Sequence, residues 1–312
     1  MYDTIKEKVG GNTLSYKIKM LYSPVYELLL SFSLFKRQTH LKYLDIGSQW
    51  KYDVEKLISK ELLSKIKEKN DLHFEDLSVI LIAQCPDKDS IQGFFKWIES
   101  LSIGEIYELI SPFLSDKVTV PSNLESQRNQ FVELLKEWNE QYFQTIDREC
   151  LKSLKDEAES TEKRLENEST EEVIRSVSRF VIESDEIKEV YLVPAIHFQP
   201  MSLVDQFKDT LFITYPTGKN VNGTERVLSE FKALSDERRI NILRYIAETP
   251  STFTSIVKEI GMAKGNIHHH LSVLRGARLL DIHLTNDKNT FYYRTHKNLS
   301  SEIKTNLDLL LQ

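Results

Sequence analysis

Apolar residues recur at three- and four-residue steps along most of the first 186 positions, a pattern typical of amphipathic helices. An early exception is TLSYKIKMLY, where apolar and polar residues alternate as they do in a strand. Ser23 and Pro24 then suit the N-cap and first turn of a helix whose apolar face is YELLLSFSLF. The longest periodic segment spans 123–167, and its polar second part, LKDEAESTEKRLENESTEE, is predicted to be a solvated helical extension or loop.

The pattern changes between residues 187 and 216. IKEVYLVPAIHF and DTLFITYP are rich in β-branched and aromatic residues, and they are predicted to be two strands of a small sheet. TGKNVNGTE, at 217–225, has two glycines and only one apolar residue, which favours a boundary between domains. We therefore expect a mainly α (α+β) fold with a helical N-terminal domain at 1–216, a linker at 217–224 and a second domain at 225–312.

The second domain has a tighter pattern of short helices. Ser235 or Asp236 is expected to cap a helix over SDERRINILRYIAE, and TFTSIVKEIG forms the next helix, which begins after Pro250. Gly261 suits the left-handed residue that ends this helix, and another helix starts only a few residues later. A helix, a glycine-containing turn and a second helix at this spacing predict a helix-turn-helix, whose second helix enters the major groove of DNA.

Periodicity separates two faces of that second helix. Ile267, Leu271 and Leu274 form its buried stripe, and His270 lies beside them, so we expect His270 to pack in the core or an interface. The other face is polar, is small at its N-terminal end and adjoins the positive end of the helix, which suits phosphates and base edges. The DNA-contacting residues predicted on this face are Lys264, Gly265, Asn266, His268 and His269.

A hairpin follows the helix. RLLDIHL and TFYYRT are predicted to be its strands, and Asn286, Asp287 and Asn289 suit the turn between them. Such a hairpin would form the wing of a winged helix. Lys288 at its tip and Arg294 at its base, together with Arg275 on the preceding helix, are expected to contact phosphates.

Charge is distributed unevenly between the two predicted domains. The net charge is −6 overall, but residues 225–312 carry 13 Lys and Arg against 10 Asp and Glu, which leaves the first 224 residues at −9. This asymmetry suggests different partners for the two parts. No apolar stretch reaches the ~20 residues of a membrane span, and the N-terminus MYDTIKEKVGGNT lacks a secretory signal, so we expect a cytoplasmic protein without membrane contact.

We expect neither a metal site nor a catalytic centre. Adjacent residues on a helix point ~100° apart, so His268, His269 and His270 cannot all bind one ion. Cys85 and Cys150 have no ligand-spaced partner and are predicted to be buried thiols. No GxSxG, HExxH or complete phosphate loop is present, so the sequence predicts no enzyme activity and no cofactor.

The C-terminal region resembles the winged-helix domain of ArsR-type bacterial transcriptional regulators. The resemblance rests on FKALSDERRINILRYIAE, FTSIVKEIGMAKGNIHHHLSVLRGARLLD and FYYR, in that order. It implies a homodimer, a recognition helix over about Ala263–Gly276 and a wing at about Asp287–Asn289. The usual Ser or Thr helix cap is Ala263 here, which weakens the helix start by roughly 1 kcal/mol.

Metal sensing, which the resemblance also implies for many members, is not expected here. TFTSIVKEIG contains no cysteine and LSSEIKTNLDLLLQ contains no histidine. The N-terminal residues are similar, more loosely, to an uncharacterised domain in some long members of the family. That similarity rests on Ser23, Pro24, Glu27 and Leu28 and on Val190 to Pro194.

The last helix carries one apolar stripe, and such a stripe on a short terminal helix needs a partner. The resemblance implies that this partner is the other protomer of a dimer. A symmetric dimer would place two recognition helices roughly 34 Å apart on an inverted repeat of double-stranded DNA. We expect a regulator, by family habit a repressor, with the N-terminal domain as an effector or assembly module. Two alternatives stay open: a winged helix that binds protein, and an enzyme fused to a DNA-binding domain. The predicted interface residues are Leu299, Ile303, Leu307 and Leu310.

Overall fold

The computed structural model describes residues 6–9, 12–38, 40–68, 73–114, 123–217 and 223–311. The chain is mainly α-helical with small sheets, which confirms the predicted fold class. The N-terminal elements are β1 (Lys6–Val9), β2 (Asn12–Ser15), β3 (Lys17–Met20), α1 (Pro24–Arg37), α2 (Gln49–Leu57), α3 (Lys60–Glu68), α4 (His73–Gln84), α5 (Ile91–Ser100), α6 (Ile103–Ile110), α7 (Leu124–Gln141), α8 (Arg148–Leu165), α9 (Thr170–Ser178) and β4 (Phe180–Ile182).

The remaining strands of the N-terminal region and the winged helix complete the chain. Their elements are β5 (Glu189–Ala195), β6 (Leu203–Phe207), β7 (Thr210–Pro216), α10 (Gly223–Leu234), α11 (Glu237–Glu248), β8 (Ser251–Thr252), α12 (Phe253–Ile260), α13 (Lys264–Gly276), β9 (Leu280–Leu284), β10 (Phe291–Thr295) and α14 (Leu299–Leu310).

Helix α1 begins as the sequence predicts. The Ser23 hydroxyl accepts a hydrogen bond from the Val25 N–H at 3.2 Å, and Pro24 occupies the first turn, where its missing N–H costs nothing. Nearly every residue of this helix is buried, so α1 forms the centre of the N-terminal core.

The long periodic segment is divided into two helices. It breaks after α7, and the Asp147 carboxylate then caps α8 by accepting from the Glu149 N–H at 2.9 Å. The polar second part is helical, but it is not wholly solvated as predicted. Leu154, Ala158 and Thr161 are buried. Side chains one helical turn apart thus suffice to anchor an otherwise charged helix.

The N-terminal sheet has the order β3-β5-β7-β6, and β6 is its antiparallel edge. Alternate residues of β5 face opposite sides: Tyr191 and Val193 join the core around α1, whereas Val190 and Leu192 pack toward α9. Helices therefore cover both faces of this mostly parallel sheet, as expected for parallel strands. The strands predicted at 187–198 and 209–216 are confirmed as β5 and β7.

A second sheet joins the N-terminal region to the winged helix. Its order is β4-β9-β10-β8, and β4 lies parallel to β9 with Phe180 opposite Ile282. Ile282 and Leu284 of the wing pack in the same buried cluster as α9. The predicted domain boundaries stay a prediction, since residues 218–222 of the linker lie outside the described residues. The two parts nevertheless share one sheet and the buried cluster around α9.

Candidate nucleic-acid interface

The turn between α12 and α13 has the geometry that a helix-turn-helix needs. Gly261 has φ +69°, and its N–H donates to the Val257 carbonyl at 3.1 Å, which closes α12 in the left-handed conformation that favours glycine. Ile267, Leu271 and Leu274 of α13 are buried in the winged-helix core, as the sequence predicts. This packing turns the opposite face of α13 outward.

The first turn of α13 is open to solvent. Lys264, Gly265 and Asn266 are exposed, and no atom would lie within 4 Å of a Cβ added to Gly265. Ala263 precedes the helix without a side-chain cap, as its residue type predicts. The start of α13 therefore combines a lysine, an amide side chain and the positive end of a helix on one accessible surface.

The three histidines lie in different surroundings. His270 is buried, as predicted, and burial lowers its pKa, with Asp236 opposing the shift. His268 is exposed and stacks on His40, with ring centroids 5.9 Å apart. His269 is also exposed, and its Nδ1 shares a hydrogen bond with the Tyr43 hydroxyl at 2.9 Å. A short segment of the N-terminal region thus flanks the histidine side of α13.

The last turn of α13 lies against the N-terminal region. Arg275, expected on phosphate, instead donates to the Ser202 carbonyl at 3.1 Å and is half-buried, and desolvation by the surrounding protein lowers its pKa. A Cβ added to Gly276 would meet Pro200 and the Tyr43 carbonyl at 3.7 Å. Because the half-buried Arg275 side chain is bonded to the N-terminal region, the phosphate contact predicted for it requires a different arrangement.

The wing is also held by the N-terminal region. The Lys288 ammonium group donates to the Lys208 carbonyl at 2.8 Å and lies 3.3 Å from the Glu186 carboxylate. The Asp287 carboxylate accepts from the Asn289 N–H at 3.2 Å, which forms the predicted turn. Arg294, on β10, is half-buried. The sequence brings Lys288 to the wing tip as expected, but its charge already has a partner.

A buried ionic cluster connects the two parts. Arg179, at the end of α9, pairs with Glu302 of α14, and His296 lies between Glu302 at 3.0 Å and Asp281 at 2.7 Å. Burial lowers the pKa of His296, but the hydrogen bonds to both carboxylates outweigh it and raise the pKa overall. Burial raises the pKa of Glu302, whereas hydrogen bonds from His296 and Arg179 prevail and lower it. We expect the charged forms of both groups to stabilise this junction.

The predicted dimer helix is only partly covered. Leu299 and Ile303 pack against the winged-helix core, while Leu307 is half-buried and Leu310 is 37 % exposed. The interface assignment stays a prediction. Large apolar side chains on α10, on α14 and directly after α14 are also exposed, namely Leu228, Phe231, Leu309 and Leu311.

The N-terminal region holds a second buried polar cluster. Glu27 binds the His197 side chain and accepts its backbone N–H at 2.9 Å, and His197 Nε2 bonds the Tyr142 hydroxyl at 2.9 Å. Trp50 donates to the same hydroxyl at 2.8 Å. All four side chains are buried or nearly so, which fits the structural role expected for His197.

The sequence did not indicate His40, Tyr43 or Ser202 as neighbours of α13. No periodicity or motif marks these residues, because the contact joins segments more than 70 residues apart along the chain. Among the described residues, no three His, Cys, Asp or Glu side chains are arranged to hold a metal ion. Within the same part of the chain, no helix is both long and apolar enough to span a membrane.

Comparison with known proteins concerns the C-terminal region. Residues 236–281 match the family model described as bacterial regulatory protein, arsR family, which confirms the resemblance over that segment and supports a DNA-binding regulator. A "possible transcriptional regulatory protein (fragment 1-100)" from Mycobacterium bovis is 20% identical, with coverage of 28% of this chain and 95% of that one and a TM-score of 0.24. NolR from Sinorhizobium fredii is 20% identical, with coverage of 28% and 85% and a TM-score of 0.24. The chain matches none of the curated proteins with which it was compared.

Proposed function

We propose that this protein is a cytoplasmic, non-enzymatic transcriptional regulator that binds an inverted repeat of double-stranded DNA as a homodimer, most simply as a repressor. The observation that carries the proposal is the exposed N-terminal half of α13, which follows the Gly261 turn within the segment that matches the arsR family model. A helix presented in this way fits the major groove.

Different residues of α13 have different roles in the proposal. The Asn266 amide suits a bidentate contact with adenine, and the Lys264 ammonium suits guanine or a phosphate. Gly265 lets the backbone approach the DNA closely, because it presents no side chain. His268 and His269 lie one turn further along and extend the same surface. Arg294 would contact phosphates, as would Lys288 once it leaves Glu186 and Arg275 once it leaves Ser202.

The dimer follows from the apolar surface that α10 and α14 leave exposed. Two copies that meet along the stripe of Leu307 and Leu310, with Phe231 beside it, would cover side chains that water otherwise surrounds. A two-fold axis through this surface would relate two recognition helices, which suits an operator with two half-sites. The N-terminal region would then act as the regulatory module, because it contacts α13 and the wing directly.

Selection from genomic DNA tests the proposal. Full-length protein is mixed with sheared DNA from its source at two salt concentrations, and the retained fragments are sequenced. We expect an inverted repeat to be enriched, and we expect Asn266→Ala to relax the preference at one position by about 1–3 kcal/mol. Lys264→Ala should weaken DNA binding, whereas Lys60→Ala should not. The second variant is a matched control, because each lysine is exposed at the first position of its helix. Retention without sequence enrichment, or no retention, would refute the proposal.

A further inference from the structure

A cavity of about 350 Å³ lies at the junction of the two parts of the chain. The N-terminal region supplies Leu29 and Leu30 of α1 and Phe207 of β6 to the walls of this cavity. The winged helix supplies Ile282 of β9 and Phe291 of β10. Its volume falls within the range of about 300–1,000 Å³ that small-molecule sites occupy, and most of its lining is apolar.

Most charged groups around the cavity already have partners. Arg37 pairs with Asp76 and with Glu75, and Lys36 lies 3.6 Å from the same Glu75 carboxylate. His40 also lines the cavity, and burial together with the nearby Arg275 charge lowers its pKa, which favours the neutral ring at neutral pH. These groups therefore leave little uncompensated charge for a ligand.

Asp205 differs from these groups. It lies in the middle of the edge strand β6, and its carboxylate forms no hydrogen bond or ion pair with any residue that the structure describes. Its side chain is exposed to the cavity that it lines. Desolvation by the surrounding protein raises the pKa of Asp205 to about 6, with the Asp76 charge adding to this effect and Arg37 opposing it. A carboxylate that faces a cavity and has no partner of its own can accept hydrogen bonds from a cation that enters the cavity.

Arg275, at the recognition-helix side of the cavity, does not supply that cation. Its guanidinium group donates to the Ser202 carbonyl, and it is not among the groups that shift the pKa of Asp205. The protein thus places one unpaired acid among aliphatic and aromatic walls, with a helix of the proposed DNA interface at one end. A ligand that fits these walls would need an apolar body and one positive charge.

We propose that this cavity binds an apolar organic cation, a small molecule with a protonated amine, whose ammonium group pairs with Asp205 and whose hydrocarbon part packs between α1, β6 and the wing. Such a ligand contacts both parts of the chain, so it stabilises the arrangement in which the N-terminal region covers the last turn of α13. This regulatory step rests on the proposed function, whereas the binding step does not. The ligand then lowers DNA affinity, and DNA reciprocally weakens ligand binding.

Calorimetry with matched probes tests the binding step. The full chain at pH 7.5 is titrated with octylamine and 2-naphthylmethylamine, and with the alcohols and carboxylic acids of the same carbon skeletons. We expect the amines to bind at least about tenfold more tightly than the alcohols, because a charged hydrogen bond replaces a neutral one. Equal binding of amine and alcohol, tighter binding of the acids, or no binding of either amine would overturn the proposal.

Variants locate the site. Asp205→Asn keeps the side-chain shape and should abolish the preference for amines, while Asp209→Asn, on the same hairpin outside the cavity, should retain it. Phe291→Ala removes a wall that the wing provides and should weaken both amines. Thermal melting checks that each variant is folded. Amine binding by Asp205→Asn that equals the wild type would contradict the assignment.

The regulatory step has its own measurement. DNA retained in the selection described above is titrated with protein in the presence and absence of the tighter amine, and we expect lower affinity in its presence. An unchanged or higher affinity would overturn the regulatory step. If the amine binds through Asp205 while no DNA is bound under any condition, the cavity assignment stands and the proposed function fails.

Discussion

The two ends of α13 belong to one continuous helix but have opposite surroundings. Lys264, Gly265 and Asn266 at the first turn are exposed, whereas Arg275 and Gly276 at the last turn contact the N-terminal region. A helix-turn-helix in isolation would leave both ends accessible to a DNA backbone. Under the proposed function, the N-terminal region is placed where it limits how deeply α13 enters a groove, while the end proposed to contact bases is unobstructed.

The largest effect is expected from breaking the junction that holds the covered end. Arg179→Ala would remove the nearest guanidinium partner of the half-buried Glu302, which would keep only Arg226 at 3.6 Å and His296 at 3.0 Å, so we expect a loss of about 1–3 kcal/mol. Urea denaturation of the full chain measures the loss, and the exposed Arg148→Ala should change stability by less than about 0.5 kcal/mol. A loss in Arg179→Ala as small as that of the control would mean that the cluster contributes little to the junction.

A pair of glycines distinguishes the two ends of α13 directly. Gly265→Ala and Gly276→Ala both fit the structure without a close contact, so each should leave stability unchanged or raise it by up to about 1 kcal/mol. DNA affinity should fall about tenfold only in Gly265→Ala, because the added methyl group occupies space needed at the base edges. Melting temperature and fluorescence anisotropy separate the two effects. Equal DNA affinity in both variants would remove the distinction between the ends.

The pH dependence of the free energy of unfolding tests the charge of His296 at the junction. The hydrogen bonds to Asp281 and Glu302 raise the pKa of His296 above its ordinary 6.5, so the folded chain binds this proton more tightly than the unfolded chain. The resulting stabilisation is complete below about pH 6.5 and is lost as the pH rises through the pKa of the folded chain. The stability difference between the wild type and His296→Gln should therefore shrink between pH 6 and 9. A difference that does not change with pH would contradict the raised pKa of His296. His268→Gln is the control, because it makes the same substitution at an exposed histidine.

The smallest effect concerns the histidine side of α13. Tyr43→Phe removes the hydroxyl that bonds His269. We expect DNA affinity to rise about two- to tenfold, because His269 no longer has to give up this hydrogen bond before it contacts DNA. The exposed Tyr52→Phe should leave affinity unchanged. A fall in affinity for Tyr43→Phe would mean that Tyr43 supports the DNA-bound position of His269.

Local signals in the sequence predicted the winged helix and much of the N-terminal region. Gly261, the Asp236 cap and the apolar stripe of α13 all lie where the pattern placed them, because short-range propensity and burial agree there. The same holds for the start of α1 at Ser23. Periodicity did not reveal the break after α7, since the apolar spacing continues through it.

What the sequence could not predict depends on long-range pairing. Strand β4 is only three residues long, too short for an alternating pattern, and its partner β9 lies about 100 residues away. The contact of Arg275 with Ser202 likewise joins segments whose sequences carry no shared motif. Basic residues near a recognition helix predict phosphate contacts only as a class, because burial by another part of the same chain decides which of them are accessible.

The pairing of β4 with β9 limits how this chain can be divided or recombined. A fragment that starts at α10 would keep the whole helix-turn-helix, yet it would expose one edge of the wing and the side chains of Ile282 and Leu284 that now face α9. Such a fragment is expected to aggregate, and a chimera that transplants the winged helix onto another sensor would have to carry residues 170–182 along with it. The smallest part of this protein that could be transferred as a folded unit therefore consists of two separate stretches of sequence.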